Sequence, residues 1–185
     1  MPRTKKFNKE AAVISALNLF WKKGYEATSL SDLTHELKIG KGSFYDTFGS
    51  KRQLFDSCIE AYRSVSYVTL DDILSKKQDP LETVKYFINR HTEMMMADVD
   101  ARGCLIANST SELSDDKEIQ ALLKEHNDYM RSKISKVLQP KFSDKSNVLA
   151  DLVLNHVTGI SMMSKFIKDP TRFKNSNEAF MKVFE

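Results

Sequence analysis

The chain has 185 residues, 41% hydrophobic and 29% charged, with six glycines, four prolines and a formal net charge of +3. Such a composition can bury a core and suits a compact helical protein, not a disordered one. Two cysteines, Cys58 and Cys104, are too few for a disulfide scaffold, and no apolar run approaches membrane-spanning length.

The polar start MPRTKKFNKE does not read as a signal peptide, so a cytoplasmic protein is expected. A first helix is predicted over Lys9 to Lys23, with Asn8 as cap and Val13, Ala16, Leu17 and Phe20 on one face. Gly24 stops it. Ser29 opens a second helix, with Asp32 in capping-box position and Leu30, Leu33 and Leu37 inward. Ile39 fills the turn, and a short third helix runs from Lys41 to Thr47 with Phe44 and Phe48 toward the core. Ser50, with Gln53 three residues on, caps a long fourth helix.

Helix, tight turn, helix is the shape that places a second helix in the DNA major groove. Charge agrees: up to Phe55 ten Lys and Arg face five acids, a net +5, and the remainder is −2. A basic head on a slightly acidic body is the footprint of a phosphate-binding module. Lys41 can meet a phosphate or a guanine edge, and Gly42 lets the backbone approach. Thr28, Ser29, Tyr45, Thr47 and Lys51 suit phosphates, and Ser43 and Asp46 suit base edges. Ser29 and Ser50 are also plain helix caps, and Asp46 is either a cytosine reader or an acid repelled by phosphate.

In the body the fourth helix continues to about Ser75, and Asp79-Pro80 starts a fifth carrying Val84, Phe87, Ile88, His91 and Met95. After a break at Asp98 to Arg102, Gly103-Cys104-Leu105-Ile106 begins a sixth. Ser114 can cap a seventh with the stripe Ile119, Leu122, Leu123, His126, Met130, Ile134 and Val137, ended by Pro140. The eighth carries Leu149, Leu152, Val153, His156, Ile160, Met163 and Ile167, and a weak ninth runs from Thr171 to Phe184 with Phe173 and Phe180. Gly159 is costly mid-helix by about 1 kcal/mol. A closely approaching helix, from a second copy or from the same chain, would offset that.

The histidines His91, His126 and His156 lie on apolar stripes of three helices, as core or pocket residues, without the spacing of a metal site. Met94-Met95-Met96 is core packing or an adaptable apolar wall. Cys104, at a helix start, is a reactive thiolate or a small buried apolar residue. No Glu-x-x-His pair, nucleophile beside a base or glycine-rich phosphate loop stands out, so neither an enzyme nor a cofactor is expected. A pure adaptor would leave the basic head without purpose.

The segment ALNLFWKKGYEATSLSDLTHELKIGKGSFYDTFGSKRQLF resembles the N-terminal domain of the TetR/AcrR family of transcriptional regulators. The matching marks are Leu19-Phe20, Gly24-Tyr25, Thr28-Ser29, Lys41-Gly42-Ser43, Tyr45, Phe48 and Ser50-Lys51. The resemblance implies an all-α fold with a helix-turn-helix domain over 1–52 and an effector-binding and dimerisation domain over 53–185. It implies a repressor that binds a near-palindromic double-stranded operator as a homodimer and is released by a small-molecule effector. In that scheme the effector moves helix six and then helix four, which changes the spacing of the recognition helices. Phe87, His91, Met95, Cys104, His126, Met130 and His156 are then candidates for the effector site. Leu152, His156, Gly159, Met163 and Phe180, on helices eight and nine, are candidates for the dimer interface. The GCLI start also resembles relatives of the N-ethylmaleimide-responsive repressor, which implies electrophile sensing at Cys104. Two positions depart from the family pattern: Lys38 replaces the turn glycine, and Gly40 replaces the Ser or Thr cap of the recognition helix.

Overall fold

The computed structural model describes residues 7–184, all-helical with no strand among the described residues. The chain divides after Ser64 into two compact units, and the division falls inside one long helix.

In the head, α1 spans Lys9–Lys23, capped by Asn8, whose side chain accepts from Ala11 N at 3.0 Å. α2 spans Leu30–Leu37, and Ser29 and Asp32 form a complete capping box, each side chain accepting from the other's backbone N–H. Two orphan donors are satisfied at once, which makes so short a helix tenable. Lys38 turns the chain at φ 56, ψ 42, a left-handed conformation that costs a side-chain-bearing residue about 1 kcal/mol. α3 spans Lys41–Phe48 and starts at Gly40, which offers no side-chain cap. α4 spans Lys51–Leu74, and Ser50 Oγ accepts from Gln53 N at 3.1 Å. Phe20, Leu33, Phe44, Leu54 and Phe55 are essentially fully buried, each stabilising the head by about 1.5–3 kcal/mol. Phe20 meets Phe55 edge-on at 5.1 Å.

The body adds α5 (Pro80–Ala97), α6 (Leu105–Glu112), α7 (Lys117–Phe142), α8 (Ser146–Met163) and α9 (Pro170–Met181). Asp79 caps α5 and Asp169 caps α9, each followed by proline at the first helical position. Val84, Ile88, Ile134, Leu138, Ala150 and Val153 build the core where α5, α7 and α8 meet. Asn177 of α9 ties this layer together: its Nδ2 donates to Thr92 Oγ1 and Asn89 Oδ1 on α5 at 3.0 and 3.2 Å. Gly103, at φ 69 before α6, lies so close to α8 that a Cβ would sit 2.7 Å from Ser161 O. Only glycine fits both demands.

Several expectations are corrected. Asp116, not Ser114, caps α7, accepting from Glu118 N and Ile119 N. Pro140 does not end α7, which runs on to Phe142 before a 3-10 turn at Ser143–Lys145. Only two residues follow the proline before the helix stops, so the lost bond and the crowding it causes fall at the helix end and interrupt no further turn. α8 stops at Met163, leaving Ile167 beyond it, half-buried against the core. The buried side of α8 is Ala150, Val153, Leu154, Val157, Ile160 and Ser161, rotated from the expected stripe.

Candidate functional site

The capping box and the left-handed turn at Lys38 set α3 against α2 with Phe44 and Phe48 buried. Lys41, Gly42, Ser43, Tyr45 and Asp46 therefore face solvent together, with Thr47 half-exposed. Nothing lies within 4 Å of a Cβ built on Gly42, so the start of α3 is bare. With no side chain over the first-turn N–H groups, that end is open to a phosphate. The ring of Tyr45 rests edge-on against Phe44 at 5.7 Å, which holds its hydroxyl outward. Lys51 is half-buried with its ammonium over the Tyr25 ring, 4.3 Å from the centroid.

Three expected phosphate ligands are otherwise engaged. Thr28 is fully buried and donates its hydroxyl to Gly24 O at 2.6 Å, so it is a structural residue. Ser29 is exposed, but its hydroxyl serves the α2 cap with Asp32. Thr47 donates to Ser43 O at 2.7 Å, which leaves its oxygen able to accept but not to donate. Arg3, Lys5 and Lys6, part of the basic head, lie outside the described residues.

In the body a cavity of about 360 Å³ opens between α5, α6, α7 and α8. It brings together five of the expected effector residues: Phe87, His91, Cys104, His126 and Met130. Met95 and His156 do not line it. Met95 is buried in the core, and His156 turns to α9, stacking on Phe180 at 4.1 Å and sharing a 2.9 Å hydrogen bond with Asn177 Oδ1. Sequence reasoning missed Leu154, Val157, Thr158 and Ser161, which line the wall from α8. Only the rotation of α8, invisible in its nearly all-round apolar pattern, would have revealed them.

His91 Nε2 lies 2.7 Å from Ser161 Oγ. Burial pushes its pKa down to about 4, against a raising bond with the Val157 backbone. Cys104 is the N-cap of α6 and half-exposed in the cavity, whereas burial pushes the Cys58 thiol up to about 12. No group of three or more His, Cys, Asp or Glu among the described residues could hold a metal ion. No helix of the described residues is long and apolar enough to cross a membrane.

Along α8 and the turn that follows it a second apolar stripe faces outward, formed by Val148, Leu152, Met162 and, just past the helix end, Phe166, which is 73% exposed. Gly159 lies on the same side, and among the described residues nothing outside its own helical turns comes within 4 Å of a Cβ built there. No close contact from another described segment of the chain accounts for the glycine. Of the other expected interface residues, Met163 and Phe180 are half-buried against the core.

Residues 14–58 match the pattern described as bacterial regulatory proteins, tetR family. The chain is 31% identical over 112 residues to the HTH-type transcriptional regulator YezE of Bacillus subtilis, covering 60% of this chain and 58% of that one. It is also 31% identical over 116 residues to the HTH-type transcriptional repressor ComR of Escherichia coli, covering 62% and 55%. The chain thus spans a little over half the length of these relatives. Among solved structures, a cysteine mutant of the TetR family regulator CifR in complex with 26-bp operator DNA superposes with a TM-score of 0.88. That match has 21% identity and covers 99% of this chain and 100% of that one. A TetR regulator from Chloroflexus aurantiacus gives a TM-score of 0.83 at 21% identity, over 94% and 92%. At such identities the likeness is one of fold.

Proposed function

We propose that this chain, which belongs to the tetR family of bacterial regulatory proteins, is a cytoplasmic repressor that binds a near-palindromic operator as a homodimer. A small molecule in the body cavity releases it. The observation that carries the reading is the exposed face of α3, where Lys41, Ser43, Tyr45 and Asp46 stand together around a bare Gly42. A helix of this size presents such a face to base edges while neighbouring groups hold phosphates. The outward stripe of α8 supports a second copy as partner, because a symmetric operator asks for a symmetric protein. ComR, a repressor by name, and CifR, seen with operator DNA, support the sign and the target.

Release follows from linkage: the effector must bind the DNA-incompetent arrangement more tightly, or no population shifts. Ile106 and Ala107 of α6 line the cavity, so occupancy bears on α6 directly, and displacement passed to α4 would alter the spacing of the two recognition helices. The test is selection of bound duplexes from a random pool, followed by titration against salt. A palindromic consensus and a steep fall of affinity with salt are expected. Absence of any selected sequence would overturn the reading. A second reading rests on Cys104, whose place in the cavity at the head of α6 suits covalent capture of an electrophile.

A further inference from the structure

The lining of the body cavity carries information about the molecule it takes, granted the reading of that cavity as the effector site. Among the described residues, sixteen line it and none of them is Asp or Glu. Its single Lys, Lys124, has a side chain 74% exposed and is ion-paired with Asp128 at the solvent side. At the inner end, Ser161 donates its proton to Val157 O at 2.9 Å, so Ser161 Oγ accepts from His91 Nε2–H at 2.7 Å. That pair satisfies itself within the protein and can be covered by an apolar guest without stranding a polar group. Leu123, Met130, Leu154 and Val157 supply an apolar wall.

We propose that the cavity selects uncharged, largely apolar molecules and rejects organic cations and anions. Its volume of about 360 Å³ suits a guest of roughly 10 to 20 non-hydrogen atoms. A cation entering it loses water and meets no carboxylate, which leaves a desolvated charge without a partner. Capture by aromatic faces does not replace the carboxylate, because quaternary ammonium sites use a cage of several rings and Phe87 is the only Phe, Tyr or Trp among the described lining residues. An anion finds one ammonium, that of Lys124, which is largely exposed at the solvent side, shared with Asp128 and screened by water, so it does little to offset burial of the anion.

Two pairs of probes, each matched in shape and differing by one charge, test this on the full chain. One pair is tert-butylbenzene and N,N,N-trimethylanilinium, and the other is nitrobenzene and benzoate. Binding is followed by the methyl NMR signals of Met130 and Leu154. Each neutral probe is expected to bind at least about tenfold more tightly than its charged twin. Asn127→Asp, which sets a carboxylate on the lining, is expected to narrow the gap for the cation but not for the anion. Equal binding within the pairs would overturn the charge selection while leaving the cavity a binding site. Perturbation of those methyls by none of the four probes would overturn the proposal together with the effector-site reading beneath it.

Discussion

The imidazole of His126 lies nearly parallel to the phenol ring of Tyr67 in an offset stack, their centroids 5.4 Å apart and their planes 13° from parallel. His126 lines the cavity from α7, and Tyr67 belongs to α4. Tyr67 also stacks on Tyr129 at 3.8 Å, and Lys133, which covers Tyr129, bonds Asp71 on α4 at 2.7 Å. A guest that presses on His126 would therefore bear on α4 through these ring contacts. Tyr67→Ala is expected to keep effector affinity within about threefold but to lose most of the coupling, which in such systems is typically about 1–3 kcal/mol. Anisotropy of a labelled operator, with and without a compound that releases the wild type, reads this directly. Full release in the variant would show that the signal takes another route.

The head variants separate contact from support. Lys41→Ala and Tyr45→Phe are expected to weaken operator binding with no change in melting temperature, because both side chains face solvent. Lys51→Ala is expected to weaken specific and non-specific binding alike and to lower the salt slope by about one ion. Thr28→Val should behave oppositely, costing about 0.5–1.5 kcal/mol of stability through the lost bond to Gly24 O. Thermal melts beside gel-shift titrations discriminate the two classes. Unaltered affinity in the Lys41, Tyr45 and Lys51 variants alike would remove this surface from the DNA interface.

The outward stripe of α8 predicts the assembly. Gly159→Arg and Phe166→Asp each place a charge where a second copy should pack, and neither position is needed by the chain's own core. Both variants are expected to run as folded monomers in light scattering and to bind a full operator weakly, since one half-site holds one head. A wild-type chain that is monomeric at micromolar concentration would refute the dimer.

The two thiols should differ in reactivity. Cys58 is fully buried with its sulfur 3.5 Å from Val13 O, and its raised pKa, about 12, leaves little thiolate near neutrality. Cys104 is half-exposed in the cavity and is expected to react with a maleimide at least about tenfold faster. Under the sensor reading, alkylated protein releases its operator and Cys104→Ser binds DNA without responding. Peptide mass spectrometry after brief exposure decides, and modified protein with full operator affinity would sink the sensor reading.

Acid sensitivity should trace to His91. Its pKa is lowered to about 4, first by burial, with a smaller contribution from the neighbouring charge of His156. A histidine held neutral in the native state lets the unfolded chain take up a proton first. Stability is therefore expected to fall as pH drops from about 6.5 towards 4, by up to roughly 3 kcal/mol. Asp32 does not act in this window. Lys23, then Ser29, holds its carboxyl well below the ordinary range, so its contribution persists above about pH 3.8 and fades only in stronger acid. Urea titrations at several pH values should show a flatter profile for His91→Gln. Parallel profiles for variant and wild type would exclude His91 as the cause.

The head was legible in sequence because its signals are local. Asn8, Ser29 with Asp32, Ser50 and Gly40 act within a turn of their own residue, and the outward set on α3 follows from Phe44 and Phe48 facing inward. The same local reading placed α5 through Asp79-Pro80, and it could have placed α9 through Asp169-Pro170. Thr28 looked like a phosphate ligand until its burial and its bond to Gly24 O were known.

In the body, tertiary structure alone decided which side of α8 is buried and which residues line the cavity. α8 is apolar nearly all round, so periodicity could not tell the side that buries Leu154 and Val157 from the side that leaves Leu152 and Met162 exposed. The rotation was settled by what packs on each side: α5 and α7 on one, and the Asn177 bond and Phe180 stack that turn His156 toward α9 on another. Hence His91 and His126 share a cavity that His156 and Met95 do not enter. A helix cap is an interaction among neighbours along the chain, whereas a cavity is what remains when distant helices have finished packing.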